Sequence, residues 1–159
     1  MNQTRPAPDL TAAQPRGCTN LLLRQLTRQV TQHYDVHMAA AGLKTTQYSL
    51  LSTVLQLGPA RPVDLALALK MDPSTLTRNL KPLLAAGWVD LSAGPDARTR
   101  AVSITPAGRA KRSEAQRHWR LAQDGLNRIL GLPQVVALHT LVQTSLALLA
   151  PAEAKVGDE

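Results

Sequence analysis

Within MDPSTLTRNLK, residues 71–81, the polar positions Ser74, Thr75, Thr77, Arg78, Asn79 and Lys81 surround Leu76 and Leu80. Three hydroxyls, a carboxamide and two cations supply the groups that read base edges and hold phosphates in a major groove. The same composition also serves an ordinary solvated helix face, so the setting of the segment has to decide. A second basic group lies further along. GPDARTR, residues 94–100, places Arg98 and Arg100 on a turn, and a thin basic tip suits a narrow minor groove.

Other chemistry is thinly represented. The single cysteine, Cys18, excludes an intrachain disulfide and a cysteine-based zinc cage. It leaves either an inert small residue or a reactive thiol. His33 and His37 are four apart and share a helix face, but the adjacent glutamate of a zincin helix is missing, and no metal site is assigned. There is no nucleophile–base pair, no glycine-rich phosphate loop and no carboxylate pair beside a histidine. No enzyme and no cofactor are expected. Four aromatics scattered over 159 residues offer no stacking platform for single-stranded nucleic acid.

The elements that would carry these groups are mostly helices. Leu22, Leu23, Leu26, Val30 and Tyr34 recur at helical steps from Cys18 to about Ala41, where Gly42 stops the pattern. KTTQYSLLSTVLQL reads as a second helix, with Thr45 or Thr46 as its cap and Gly58-Pro59 as its end. A short helix over residues 62–69 and a tight turn through Lys70-Met71-Asp72 lead into a helix capped by Asp72 and opened by Pro73. Leu76, Leu80, Leu83 and Leu84 share one arc of that helix, and the polar set takes the rest. This is a helix-turn-helix. Pro82 should kink it or make its last turn irregular. Two short strands, 88–92 and 100–104, form a hairpin directly afterwards, which makes the unit a winged one. Thr105-Pro106 opens a long helix to about Leu130, Gly131 stops it, and Pro133 opens a last helix with Val135, Leu138, Leu141, Val142 and Leu149 along one side.

Composition agrees. The net charge is +7 and the pI about 10.3, which favours an anionic partner. Nine Lys/Arg against four Asp fall between Arg61 and Arg112, so five of the seven net charges sit in about a third of the chain. The segment MNQTRPAPDLTAAQPRG is polar and proline-rich, as in a disordered leader, and no apolar stretch approaches the ~18 residues of a membrane span. No membrane partner and a cytoplasmic location are expected.

DPSTLTRNLKPLLAAGWV, the following GPDARTRAVSITPAG and the earlier GLKTTQYSLLSTV together resemble the MarR family of bacterial transcriptional regulators over roughly residues 18–149. Asp96 and Arg98 match the family's Asp-x-Arg wing, and Ile104 to Gly108 match its strand-ending turn, with Ile in place of Leu. The resemblance implies a mostly α (α+β) fold. A winged helix-turn-helix over 45–105 would lie between N- and C-terminal dimerisation helices, 17–44 and 106–150, with a leader 1–16 and a flexible tail 151–159. It implies a homodimer that represses through a pseudo-palindromic operator on double-stranded DNA. Ser74, Thr75, Thr77, Arg78 and Lys81 would face that DNA, joined by Arg98 and Arg100 from the wing, with Asp96 positioning Arg98. It also implies release by a small-molecule effector or by oxidation. A small aromatic or phenolic acid would be lined by Tyr34, His37 and Tyr48, residues that serve equally as core packing, with Trp119 and Arg120 as further candidates. Redox release would use Cys18. Against the peroxide-sensing members, Asn20 rather than Cys18 falls near the sensing position; Tyr34 matches one tyrosine partner, and Thr45 stands at the other. The alternatives to an effector-released repressor are a redox regulator using Cys18 and an architectural DNA-binding protein with no effector.

Overall fold

A computed structural model describes residues 14–93 and 100–150. The leader up to residue 13, the wing tip with Asp96 and Arg98, and the tail 151–159 lie outside the described residues.

Helix α1, Thr19–Met38, continues into a 3-10 turn, Ala39–Ala41, and stops at Gly42, whose φ of 63° is the left-handed conformation that glycine adopts without strain. α2, Thr45–Leu57, begins one residue earlier than its threonines suggest, with Lys44 as the cap. The Thr45 amide is already held by Asp35 Oδ1 of α1 at 2.7 Å, and Gln47 reaches back to the Lys44 amide at 2.8 Å. Thr45 is therefore the first helical residue, and its Oγ1 is buried with no partner among the described residues.

α3, Pro62–Ala68, and α4, Pro73–Ala85, form the helix-turn-helix. The turn is a Schellman motif: Met71 N–H donates to Ala66 O at 2.9 Å and Lys70 N–H to Leu67 O at 3.1 Å. Lys70, with φ 52°, takes the left-handed position that glycine usually fills. Asp72 caps α4 by position but not by side chain, because its exposed carboxylate makes no cap hydrogen bond. Pro82 does not break α4, which is one helix to Ala85. Leu80 and Leu83, on either side of it, are fixed in the core. The last turn is regular, closed by Gly87 N–H to Leu84 O and Trp88 N–H to Leu83 O, both at 3.0 Å.

That last bond also explains why β1 is Val89–Ala93 and starts after Trp88. It pairs antiparallel with β2, Arg100–Ile104, in the register Val89 to Ile104 and Ala93 to Arg100. β2 has a second neighbour: Ala60, in the α2–α3 link, exchanges hydrogen bonds with Val102 at 3.1 and 2.8 Å. α5, Pro106–Leu130, starts at Thr105, whose hydroxyl accepts from Gly108 N–H at 3.0 Å and donates to Gly87 O at 2.7 Å. α6, Leu132–Leu148, follows Gly131 and begins one residue before Pro133.

One core serves most of the chain, from Met38 and Leu43 through Leu50, Leu51, Val54, Leu65, Leu76 and Leu83 to Val102 and Ala115. Gly108, Ala115 and Ala122 are the buried residues of α5, seven apart, and their small size lets neighbouring helices lie close. α6 buries only Val135, while Leu141 is 62% and Leu148 81% exposed. No single helix among the described residues is long and apolar enough to cross a membrane.

Candidate nucleic-acid interface

α4 divides as its sequence spacing requires. Leu76, Leu80 and Leu83 are buried against α2 and α3, and Ser74, Thr77, Arg78 and Lys81 are exposed, with Thr75 and Asn79 partly buried. Thr77 Oγ1 donates back to Pro73 O at 2.8 Å and Arg78 Nε to Ser74 O at 3.3 Å. The Nε bond lays the arginine stem along the helix and leaves both Nη groups without a partner among the described residues. An exposed, two-pronged donor on a helix held rigid by three buried leucines can take a guanine edge or a phosphate. Asn79 Nδ2 leans on Met71 Sδ at 3.8 Å, joining the helix to its own turn. Arg100 is exposed at the start of β2, opposite Ala93; Arg98 lies outside the described residues.

The residues named for a small ligand converge on α5 from two helices. The Tyr34 hydroxyl donates to Gln123 Oε1, whose own amide continues to Asn127 Oδ1 at 2.9 Å. Burial pushes the Tyr34 phenol above its usual range. His33 Nε2 contacts Ala122 O at 2.8 Å, so it is the protonated ring nitrogen there. His37 lies beside His33 with ring centres 5.2 Å apart, and Gly125 leaves room for both. Tyr48 stacks on Trp119 at 6.2 Å, and the guanidinium of Arg112 stands over the Tyr48 ring at 5.6 Å.

Arg120, a further candidate beside Trp119, is exposed, and Arg112 is the arginine at the aromatic pair. The signal was available: Arg112 and Trp119 are seven apart, two turns along one face of α5. Arg112 also donates to Ser52 Oγ at 3.2 Å and Gln116 Oε1 at 2.7 Å.

A groove of about 570 Å³ runs between α1 and α6, walled by Leu23, Leu26, Val30, Leu138 and Val142; Tyr34, His37 and Tyr48 do not line it. Cys18 is exposed at the cap of α1, and its carbonyl accepts from Leu22 N–H at 3.1 Å.

The sequence model of the MarR family matches residues 43–98, which span α2 to the wing. The multiple antibiotic resistance protein MarR of Salmonella typhimurium is 31% identical over 133 residues, covering 81% of this chain and 89% of that protein. The chain belongs to the MarR family. It is a DNA-binding transcriptional regulator of the MarR type and not an enzyme. Among solved structures, the transcriptional regulator MosR of M. tuberculosis in complex with DNA is 31% identical, with a TM-score of 0.71 over 84% of this chain and 99% of that one. A mutant MarR of E. coli complexed with operator DNA shares the fold at 22% identity, with a TM-score of 0.73 over 80% and 92%. The family match covers α2, α3, α4 and β1 and stops short of β2.

Proposed function

We propose that this regulator is a homodimeric repressor that binds a pseudo-palindromic operator through α4 and the wing and is released by a small aromatic or phenolic acid. The observation that carries the DNA reading is α4 itself. Its three leucines are locked in the core, and Ser74, Thr75, Thr77, Arg78 and Lys81 lie on the remainder. Arg98 and Arg100 on the wing supply the adjacent contact. The MosR complex with DNA, at 31% identity, supports the same use of the fold.

The dimer reading rests on α1 and α6. Their exposed leucines and valines flank an apolar groove, and a second copy would remove that surface from water. In this reading residues 17–44 and 106–150 form the dimerisation unit and 45–105 the DNA-binding lobe. The effector reading rests on Tyr34, His37 and Tyr48 meeting α5 at the joint between the two units. Arg112, partly buried and without a carboxylate partner among the described residues, complements an acid there.

Footprinting on the DNA upstream of its own gene tests the reading. Two protected half-sites about 10 base pairs apart, centre to centre, or a multiple of that, are expected. Uniform coating without preferred sites would replace the repressor with an architectural protein.

A further inference from the structure

The chain has three methionines, and the two among the described residues lie in opposite settings. Met38 is completely buried in the core, at 0% exposure. Met71 is partly exposed, in the turn between α3 and α4. An oxidant dissolved in water therefore reaches the sulfur of Met71 and is kept from that of Met38.

Met71 fastens the turn twice. Its N–H donates to Ala66 O at 2.9 Å, which makes it the residue whose apolar side chain commonly closes over the helix end in a Schellman motif. Its Sδ accepts from Asn79 Nδ2 at 3.8 Å and so ties the turn to the second turn of α4. A thioether is a weak acceptor, yet it is the only side-chain acceptor that the partly buried Asn79 amide has among the described residues. Asn79 stands between the exposed Arg78 and the buried Leu80. A change at the sulfur is thus delivered to the stretch of α4 that joins its polar face to the core.

We propose that Met71 is a reversible oxidation site through which a hydroperoxide weakens the grip of α4 on DNA. The sulfur lone pair attacks the terminal peroxide oxygen, and the S–O bond forms as the O–O bond breaks. The other oxygen leaves as alkoxide or hydroxide and takes up the proton of the transferred one. Sulfur is oxidised to the sulfoxide and the peroxide is reduced to an alcohol or water. The new oxygen is a strong acceptor beside the amide that Asn79 already presents, and it is polar where the side chain was apolar. It takes the carboxamide, brings water to the turn and shifts α4 on α3. Met71 belongs to the 45–105 lobe and not to the α1 and α6 surfaces on which the dimer reading rests. The inference rests on α4 being the recognition element.

The test uses the full chain carrying Cys18→Ser, so that the exposed thiol contributes nothing. After hydrogen peroxide, trypsin separates the methionines: Met71 falls in the peptide 71–78, between Lys70 and Arg78, and Met38 in the peptide 29–44. Mass spectrometry should find one added oxygen on the first and none on the second, and affinity for the footprinted DNA should fall about tenfold. Methionine sulfoxide reductase with a dithiol should remove the oxygen and restore binding. Met71→Leu in the same chain, compared with itself before and after peroxide, should not change. Oxidation of Met38 ahead of Met71 overturns the proposal, as does full oxidation of Met71 with unchanged affinity. An equal loss in Met71→Leu, or a loss that the reductase does not reverse, overturns it too. R78A, unoxidised, separates this from the role given to α4. If R78A binds normally and oxidised Met71 still lowers affinity, that role fails and the switch stands. If R78A binds weakly and oxidation changes nothing, the switch fails and the role of α4 stands.

Discussion

A Cβ on Gly108 would stand 1.9 Å from the carbonyl oxygen of Trp88, so the first turn of α5 presses directly on the end of the helix-turn-helix. Thr105 holds the same junction from the other side, its amide donating to Trp88 O at 3.1 Å. Gly108→Ala should cost about 3 kcal/mol, because the contact is backbone against backbone and no side chain can swing away. Urea unfolding of the two proteins measures it. An unchanged midpoint would show that α5 slides freely on the lobe.

Lys70 and Gly87 occupy the same position in two Schellman motifs, at the ends of α3 and α4, with φ of 52° and 69°. A lysine there carries left-handed strain that glycine does not. Lys70→Gly should stabilise the free protein by about 1 kcal/mol, or about 3 °C in Tm. Lys70→Ala keeps the strain and removes only the charge, so a gain with alanine as large as with glycine would refute the conformational cause.

Arg78→Ala should narrow the gap between operator and random DNA by about 1–3 kcal/mol, the worth of a two-pronged arginine on a base edge. Competition binding reads the ratio. An unchanged ratio would make Arg78 a phosphate clamp and move the base reading to other residues of α4.

Leu138 and Val142 wall the groove between α1 and α6. Leu138→Glu with Val142→Glu should give monomers that bind DNA poorly, whereas the unmodified protein should sediment near twice 17.1 kDa. A monomer at micromolar concentration for the unmodified protein would remove the two-fold arrangement.

Cys18 is free and exposed at the start of α1. Cys18→Ser should bind its operator and respond to an inducing acid as the unmodified protein does. Loss of the response, together with release of the unmodified protein by peroxide, would establish oxidation as the trigger.

The fold is legible in the sequence wherever local chemistry decides it. Thr105-Pro106 marks the start of α5 because a hydroxyl cap and a missing amide both belong there, and Leu76, Leu80 and Leu83 define the inner face of α4 by spacing alone. What the sequence conceals is settled by distant partners. Lys44 becomes the cap of α2 because Asp35, on another helix, takes the Thr45 amide. Lys70 gives no sign of its left-handed backbone, since lysine has no preference for that region and only the α3–α4 geometry imposes it. Pro82 signals an irregular last turn, yet α4 runs past it as one helix to Ala85. At the ligand candidates, residue type pointed to Tyr34 and Tyr48, but their pairing with Gln123 and Arg112 joins segments more than sixty residues apart.

The bridge between Ala60 and Val102 gives the wing a fulcrum. Val102 is clamped on both edges, by Leu91 within the hairpin and by Ala60 outside it, whereas among the described residues Arg100 has a strand partner, Ala93, on one edge only. Any swing of the wing must pivot beyond Val102, and the short arm from there outward carries Arg100 toward the tip. Amide hydrogens mark the pivot. Those of Ala60 and Val102 should exchange only when the whole domain opens, and those nearer the tip much sooner. The wing is thus a lever with its root fixed in the helix-turn-helix, and a force applied at the tip is delivered to the link between α2 and α3.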